Sequence, residues 1–203
     1  FAEYIKTVLP KYCTIQLYKK FLIQTNDYGV TPLMLAKTAE QTNLLLSYAP
    51  DEETRKIMLT QTSNSNKNAL MCAKEAEQTK ILLKASPDDL TLVRMLSCTD
   101  NFGKNALMYA QNFEQSKILL EAAPDDKIRT KMLNQTDGVG ANALMLAKDD
   151  KQSKVLLDYA PDDKARDDML THTNYFGENA LMLAKDDKQS KVLLDYISDD
   201  ETR

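Results

Sequence analysis

The sequence predicts an all-α solenoid, a chain of tandem helical repeats, and three observations carry that prediction. The same phrase recurs at an interval of 37 residues, and all nine methionines fall at only two positions of that interval. No stretch has the alternation of apolar and polar residues that is typical of a half-buried strand. A regular interval of this kind is typical of repeat proteins, in which each unit packs on its neighbours.

A threonine opens each repeat, at Thr25, Thr62, Thr99, Thr136 and Thr173. This divides the chain into a partial N-terminal capping repeat at 1–24, complete repeats at 25–61, 62–98, 99–135 and 136–172, and a truncated fifth repeat at 173–203. The stretches 142–159 and 179–196 are identical, which indicates a late duplication. Because both ends fall inside a repeat, we expect a fragment of a longer protein.

The first helix of each repeat is predicted from its N-cap. Thr31 has this place in the first repeat and asparagine in the others, and a side-chain oxygen of either can accept a bond from an N–H at a helix start. Pro32 or alanine follows, which suits the first helical position. Leu33 and Met34 begin the buried side, and the helix is expected to end near Lys37. The recurring methionines are expected to pack between repeats, in preference to forming a copper or partner groove.

A second helix follows a second cap. Thr38 and Gln41 have the spacing of a capping box, which recurs in later repeats with Glu75 as the poorest cap. The apolar stripe of this helix is supplied by Leu44, Leu45 and Tyr48. Prolines such as Pro50 then mark a break, and the acidic pair after each proline favours a third helix start.

The third helix closes on a methionine–leucine pair such as Met58 and Leu59. Arginine recurs on it at Arg55, Arg129, Arg166 and Arg203, with Leu92 in the second repeat. Ordinary surface charge explains these arginines more simply than a basic stripe for an acidic partner. The turn back to the next repeat contains Gly29, Gly103, Gly140 and Gly177, with Asn66 in the second repeat, and both residue types tolerate positive φ.

The stretch 27–36, DYGVTPLMLA, resembles the D-x-G-x-T-P-L-x-x-A opening of an ankyrin repeat, and the form G-x-N-A-L-M-x-A recurs in the third to fifth repeats. Met34 replaces the usual histidine, no Gly-His pair precedes the second helix, and the interval exceeds the usual length of about 33 residues. An extra short helix per repeat accounts for the added length. The predicted fold is therefore an ankyrin-like α-solenoid of helix-turn-helix repeats, with another α-solenoid as the fallback.

The resemblance implies a recognition module that binds a partner protein along a concave face, formed by the turns and first helices. On this sequence the expected partner-binding residues are Tyr28, Phe102, Tyr109, Val139, Tyr175 and Phe176. Aromatic residues are enriched at the centres of interfaces. The alternative is that these rings pack against adjacent turns.

Composition argues against several other functions. The net charge of −4 and pI of about 5.2 do not favour nucleic-acid binding. No apolar run approaches the roughly 20 residues that span a bilayer. The three cysteines share no metal-type spacing, which favours free thiols in an intracellular, cytoplasmic setting. His172 is the single histidine, so a histidine metal cluster is excluded.

No cofactor, metal, small-molecule substrate or catalytic residue is therefore expected, and the chain is not expected to be an enzyme. The function that the sequence favours is a protein–protein interaction scaffold. The alternative is the targeting or regulatory region of a larger enzyme, such as a bacterial effector delivered into the host cytoplasm. A purely structural spacer is the third hypothesis.

Overall fold

The computed structural model describes residues 14–198, apart from the side chain of residue 198, and every regular element within this range is a helix. Helix α1 is described over 14–23. The remaining helices are α2 (Pro32–Leu35), α3 (Ala39–Ser47), α4 (Glu52–Thr60), α5 (Ala69–Cys72), α6 (Ala76–Lys84), α7 (Asp89–Ser97), α8 (Ala106–Tyr109), α9 (Phe113–Glu121), α10 (Asp126–Asn134), α11 (Asp150–Asp158), α12 (Asp163–Thr171) and α13 (Asp187–Ser198). The predicted all-α solenoid is confirmed. Residues 1–13 of the predicted capping repeat and 199–203 of the fifth repeat lie outside the described residues.

The first helix of each repeat is a single turn that depends on its cap. Thr31 and Asn68 accept hydrogen bonds from the backbone N–H groups of Met34 and Met71, at 3.3 and 3.0 Å. Asparagine also donates its side-chain amide to the end of the third helix, as Asn68 does to the Met95 carbonyl at 2.9 Å. In the fourth and fifth repeats the same cap bonds form, but 143–146 and 180–183 are turns and not helices.

The second and third helices both have nine residues in each of the first four repeats. The third helix is thus no shorter than the second, and the one-turn helix is the first. In each of these four repeats an aspartate caps the third helix, at Asp51, Asp88, Asp125 and Asp162. Glu75 makes no side-chain cap bond, as expected from its poor match to the capping-box pattern.

Methionine and leucine at the end of the third helix form the centre of the core. Met58, Met95, Met132 and Met169 are at most 1% exposed. Met34, Met71 and Met145, on the first helix or its equivalent turn, are at most 5% exposed, so the predicted packing role is confirmed for these residues. For Met182 it is wrong, because this side chain is 68% exposed. Met182 lies in the last described repeat, and no further repeat within 14–198 covers it.

Buried glutamines join each repeat to the one before it. The Gln115 Nε2 group donates to the Ala73 carbonyl at 3.1 Å and to the Thr79 hydroxyl at 2.8 Å, while its Oε1 accepts from the Gln111 N–H. The same three kinds of bond recur at Gln78, Gln152 and Gln189, and all four glutamines are at most 3% exposed. A buried amide is costly unless its groups are paired, so these bonds fix the stacking of neighbouring repeats.

Candidate partner-binding face

The turns between repeats have one conformation, fixed by a side chain at the start of each. The Asp100 Oδ1 atom accepts from the N–H groups of Phe102 and Lys104, both at 2.9 Å. Asn26, Asp137 and Asn174 accept in the same way in their own turns. The four predicted glycines and Asn66 all have positive φ, between 60° and 81°, which confirms the left-handed conformation.

Consecutive turns are linked by backbone hydrogen bonds from one turn to the next. The Asn64 N–H donates to the Tyr28 carbonyl at 2.9 Å, and the Gly138 N–H donates to the Phe102 carbonyl at 2.6 Å. Equivalent bonds join Asn101 to Ser65 and Tyr175 to Val139. Since each acceptor is the tip residue of its turn, the backbone of the tip is held in place while its side chain projects outward.

Five of the six predicted partner-binding residues are exposed at these tips. Their exposed fractions are 75% for Tyr28, 66% for Phe102, 45% for Val139, 79% for Tyr175 and 75% for Phe176. Tyr175 and Phe176 share one turn, and Tyr175 lies beside Gly140 of the preceding turn. We call these five residues together with Tyr109 the tip face. Their role in binding stays a prediction.

Tyr109 has a different environment from the other five. It is half-buried, and its hydroxyl donates to the Asp100 Oδ2 atom at 2.6 Å. The Lys67 Nζ atom lies 4.3 Å from the centroid of the Tyr109 ring, within the range of a cation–π contact. Burial, together with the bond to Asp100, raises the pKa of Tyr109. The ring is therefore fixed in the floor of the tip face and is not a free projecting anchor.

The positions equivalent to Tyr109 in the other repeats form the rest of the predicted floor. Leu35 is 57% exposed, whereas Cys72, Leu146 and Leu183 are half-buried. Burial raises the pKa of the Cys72 thiol, so this cysteine is protonated and weakly nucleophilic at neutral pH. The floor is thus largely apolar, with the Lys67 ammonium against the Tyr109 ring.

His172 occupies a structural position. Its Nε2 atom lies 2.7 Å from the Gly140 carbonyl oxygen, and because a carbonyl can only accept, the imidazole donates. Gln135 makes the equivalent bond to the Gly103 carbonyl at 3.3 Å. Within residues 14–198 no group of three or more His, Cys, Asp or Glu side chains could hold a metal ion. In the same range no helix is long and apolar enough to cross a membrane.

Sequence reasoning missed the contacts that organise this face. The Asp100 carboxylate fixes a turn through one oxygen and holds Tyr109 through the other. Asn64 and Asn101 each donate a side-chain amide to the preceding turn, at 3.0 and 3.1 Å. For Asp100 the available signal was the recurrence of Asn, Ser or Asp directly after the opening threonine, since such residues favour turns.

Comparisons with known proteins agree with this architecture. No protein-family model matches the sequence. No curated protein matches it either. Among solved structures, the chain is similar to the ankyrin repeat protein EF0377, with a TM-score of 0.59, 19% identity, and coverage of 91% of this chain and 90% of that one.

A second similar structure is a chain from the complex of the Bd0816 predatory endopeptidase of Bdellovibrio bacteriovorus with the immunity protein Bd3460. Its TM-score is 0.57 at 20% identity, with 91% of this chain and 90% of that chain covered. Identities this low bear on the fold alone. The helix order, the turns and these structural matches together show that the chain has an ankyrin-like repeat fold.

Proposed function

We propose that this chain is a non-catalytic protein-interaction scaffold that binds a partner protein through the tip face. The observation that carries the proposal is the row of exposed apolar side chains at the turns. Isolated apolar residues on a surface are normal, but aromatic residues grouped on one face favour an interaction site. Four of the five exposed tip residues are aromatic, and they come from three different turns.

The backbone beneath these side chains favours binding. Each tip is held by its own turn bonds, and the tips at Tyr28, Phe102 and Val139 also accept a hydrogen bond from the next turn. A site whose backbone is already ordered loses less conformational entropy on association than a flexible loop does. Tyr and Phe have only two side-chain torsions, which lowers the entropy lost when they are immobilised. The tip face therefore combines a large apolar contact area with a small ordering cost.

Other observations support a binding role without catalysis. The single histidine is engaged by a backbone carbonyl, and the half-buried Cys72 thiol has a raised pKa. A structurally similar chain comes from a complex between an endopeptidase and its immunity protein, which supports a protein as the partner. The proposal holds equally if the chain is the targeting or regulatory region of a larger enzyme.

The test is affinity capture with the 203-residue chain and two triple variants. One variant replaces Tyr28, Phe102 and Phe176 by alanine. The matched control replaces Leu17, Leu44 and Leu90, which are 54–62% exposed and lie on α1, α3 and α7. Both variants remove three exposed apolar side chains, and circular dichroism checks that each remains folded.

We expect the tip variant to lose a specific captured protein while the leucine variant retains it. Interface aromatics that act as hot spots each contribute at least about 2 kcal/mol, so the loss should exceed tenfold. Equal capture by all three proteins would contradict the proposed face. Equal loss in both variants would indicate nonspecific apolar adsorption and would also contradict it.

A further inference from the structure

A surface cavity of about 310 Å³ lies between α3, α4 and α6, on helices that do not carry the tip face. Its walls come from two successive repeats. The lining residues are Asn43, Leu46, Ser47, Arg55, Ile81, Lys84 and Ala85. A volume near 300 Å³ is at the lower end for a ligand site and suits a single aromatic ring.

Three repeats later the equivalent space contains a tyrosine. Tyr196 has the place of Ala85, and its ring centroid lies 5.9 Å from the Arg166 guanidinium and 5.5 Å from the Lys154 Nζ atom. The Tyr196 hydroxyl donates to the Asp158 carboxylate. Arg166, Lys154 and Asp158 stand at the positions of Arg55, Asn43 and Ser47. The cavity at Arg55 is thus the space that a tyrosine ring fills elsewhere in the same chain.

In other repeats too, the residue at the position of Ala85 lies near the residue that has the place of Arg55 one repeat earlier. The Tyr48 ring centroid lies 5.5 Å from that of Tyr18, which has the place of Arg55 in the preceding repeat. Tyr159 is close enough to Arg129 for that cation to act on its pKa. Where alanine recurs, at Ala122, the residue in the place of Arg55 is Leu92. Among the described arginines equivalent to Arg55, Arg129 and Arg166 each have a tyrosine opposite them in the next repeat. Only Arg55 has an alanine there, Ala85.

Arg55 also lacks an anionic partner in the described range. Arg166 pairs with Asp163, three residues before it, at 2.7 Å. Glu52 has the equivalent place before Arg55, but it pairs with Lys56 at 3.3 Å. No carboxylate of residues 14–198 lies within ion-pair distance of Arg55 or of Lys84.

The charged residues around Tyr196 differ from those around the cavity at Arg55. Beside Tyr196, the Lys154 ammonium lies 3.3 Å from the Asp158 carboxylate, and Asp195 directly precedes Tyr196 in the chain. At the cavity these aspartates are replaced by Ser47 and Lys84, so the walls contain two cations and no carboxylate. An aromatic ring on Arg55 would gain a cation–π contact, and an acidic group beside it would pair with Arg55 or Lys84.

We propose that this cavity receives a tyrosine side chain of a partner protein, from a segment in which acidic residues flank the tyrosine. The incoming ring takes the place that Tyr196 has in the last described repeat pair, between α3 and α6 and over Arg55. The flanking carboxylates supply the negative charge that the walls of the cavity lack beside Arg55 and Lys84. This site is separate from the tip face, and its test uses a defined peptide, so the two can fail independently.

The experiment is an NMR titration of the 15N-labelled chain with a blocked pentapeptide, Asp-Glu-Tyr-Asp-Glu. Two variants close or neutralise the cavity: Ala85→Tyr, which inserts the ring present at Tyr159 and Tyr196, and Arg55→Leu, which inserts the residue present at Leu92. The matched control is Ala122→Tyr, at the same position of the next repeat. Each substituted residue already occurs at its position in another repeat, and circular dichroism checks that the variants are folded.

We expect saturable shifts centred on Arg55 and Ala85, with binding weakened about tenfold or more by Ala85→Tyr and by Arg55→Leu and unchanged by Ala122→Tyr. Replacing the peptide tyrosine by alanine, or its acids by lysine, should weaken binding similarly. Binding unaffected by Ala85→Tyr would overturn the site. A free aryl acid, 4-hydroxyphenylacetate, that bound as tightly as the peptide would overturn the polypeptide occupant, as would the absence of saturable shifts.

Discussion

The Gln115 side-chain amide donates a hydrogen bond to the Thr79 hydroxyl, 36 residues earlier in the chain, at 2.8 Å. One side chain thereby joins α9 to α6, and a second bond from the same Nε2 atom reaches the Ala73 carbonyl at the end of the first helix of that repeat. Gln115 is 2% exposed, so neither bond competes with bulk water. The stacking of repeats therefore depends on a polar contact buried between apolar helices.

We predict that Gln115→Leu lowers the free energy of unfolding by about 2–3 kcal/mol, because the Ala73 carbonyl and the Thr79 hydroxyl lose their partner in a buried place. The control is Gln41→Leu at the equivalent, exposed position, where the loss should be below about 1 kcal/mol. Urea denaturation followed by circular dichroism measures both. Similar losses in the two variants would contradict an inter-repeat role for the buried amide.

Substitutions at Gly103 and Gly177 distinguish backbone strain at positive φ from a steric clash of the added side chain. Both have positive φ, at 75° and 76°. A Cβ atom at Gly103 would lie 2.9 Å from the Thr136 carbonyl oxygen, whereas at Gly177 nothing lies within 4 Å. Gly177→Ala should lower stability by about 1–2 kcal/mol from backbone strain, and Gly103→Ala by at least about 1 kcal/mol more. Thermal or urea unfolding that ranked the two variants in reverse order would refute the predicted clash.

The methionines provide a test of burial at fixed chemistry. Met132→Ala removes a side chain that is 1% exposed, and the expected destabilisation is about 2–5 kcal/mol. Met182→Ala acts on a side chain that is 68% exposed, and its effect should stay within about 0.5 kcal/mol. Equilibrium unfolding of the two variants beside the parent chain gives both values. A large loss for Met182→Ala would mean that this residue is covered in solution.

The Lys19 ammonium, 2.6 Å from Asp51, lowers the pKa of that carboxyl to about 2, with help from hydrogen bonds donated by Thr54. Its ordinary value is 3.8. As the pH falls, the Asp51 carboxyl therefore takes up a proton at a higher pH in the unfolded chain than in the folded chain. The contribution of the ionised Asp51 carboxylate to the stability of the folded chain is complete above about pH 4 and is lost as the pH falls towards 2.

Lys19→Met should raise the Asp51 pKa towards its ordinary value, and Lys20→Met, one residue further on, should leave it unchanged. Carbon-detected NMR titration of the Asp51 carboxyl measures the midpoint in each protein. A midpoint that does not move in Lys19→Met would show that the hydrogen bonds from Thr54, and not the ion pair, set the Asp51 pKa.

Local signals predicted the local structure well. The cap at Thr31, the helix start at Asp51 and the positive φ of Gly103 depend on chemistry within a few residues, which a sequence displays directly. The sequence pattern identifies Gln115 only as a capping-box residue, because its amide acts across 36 to 42 residues. Spacing along one helix contains no information about which surface lies opposite that amide.

The candidate site was predictable in part, for the same reason. Tyr28, Phe102 and Phe176 stand at turn tips, and a repeat interval is enough to group them on one face. The half-buried place of Tyr109 could not be predicted, because it depends on Asp100 and on Lys67 from the preceding repeat. The cavity at Arg55 was missed because it requires comparing Ala85 with Tyr196 in three dimensions.

The hydrogen bonds that the glutamine and asparagine side chains and the turns make between repeats all join residues a similar distance apart in the sequence, which affects how the array folds. Those bonds between elements span about one repeat, 27 to 42 residues, whether they lie near Leu33 or near Leu193. The loop that must close to form any one of them is therefore no longer in the last described repeat than in the first. Because the entropy of loop closure grows with loop length, extending the array adds stability without raising the entropic barrier to each new contact.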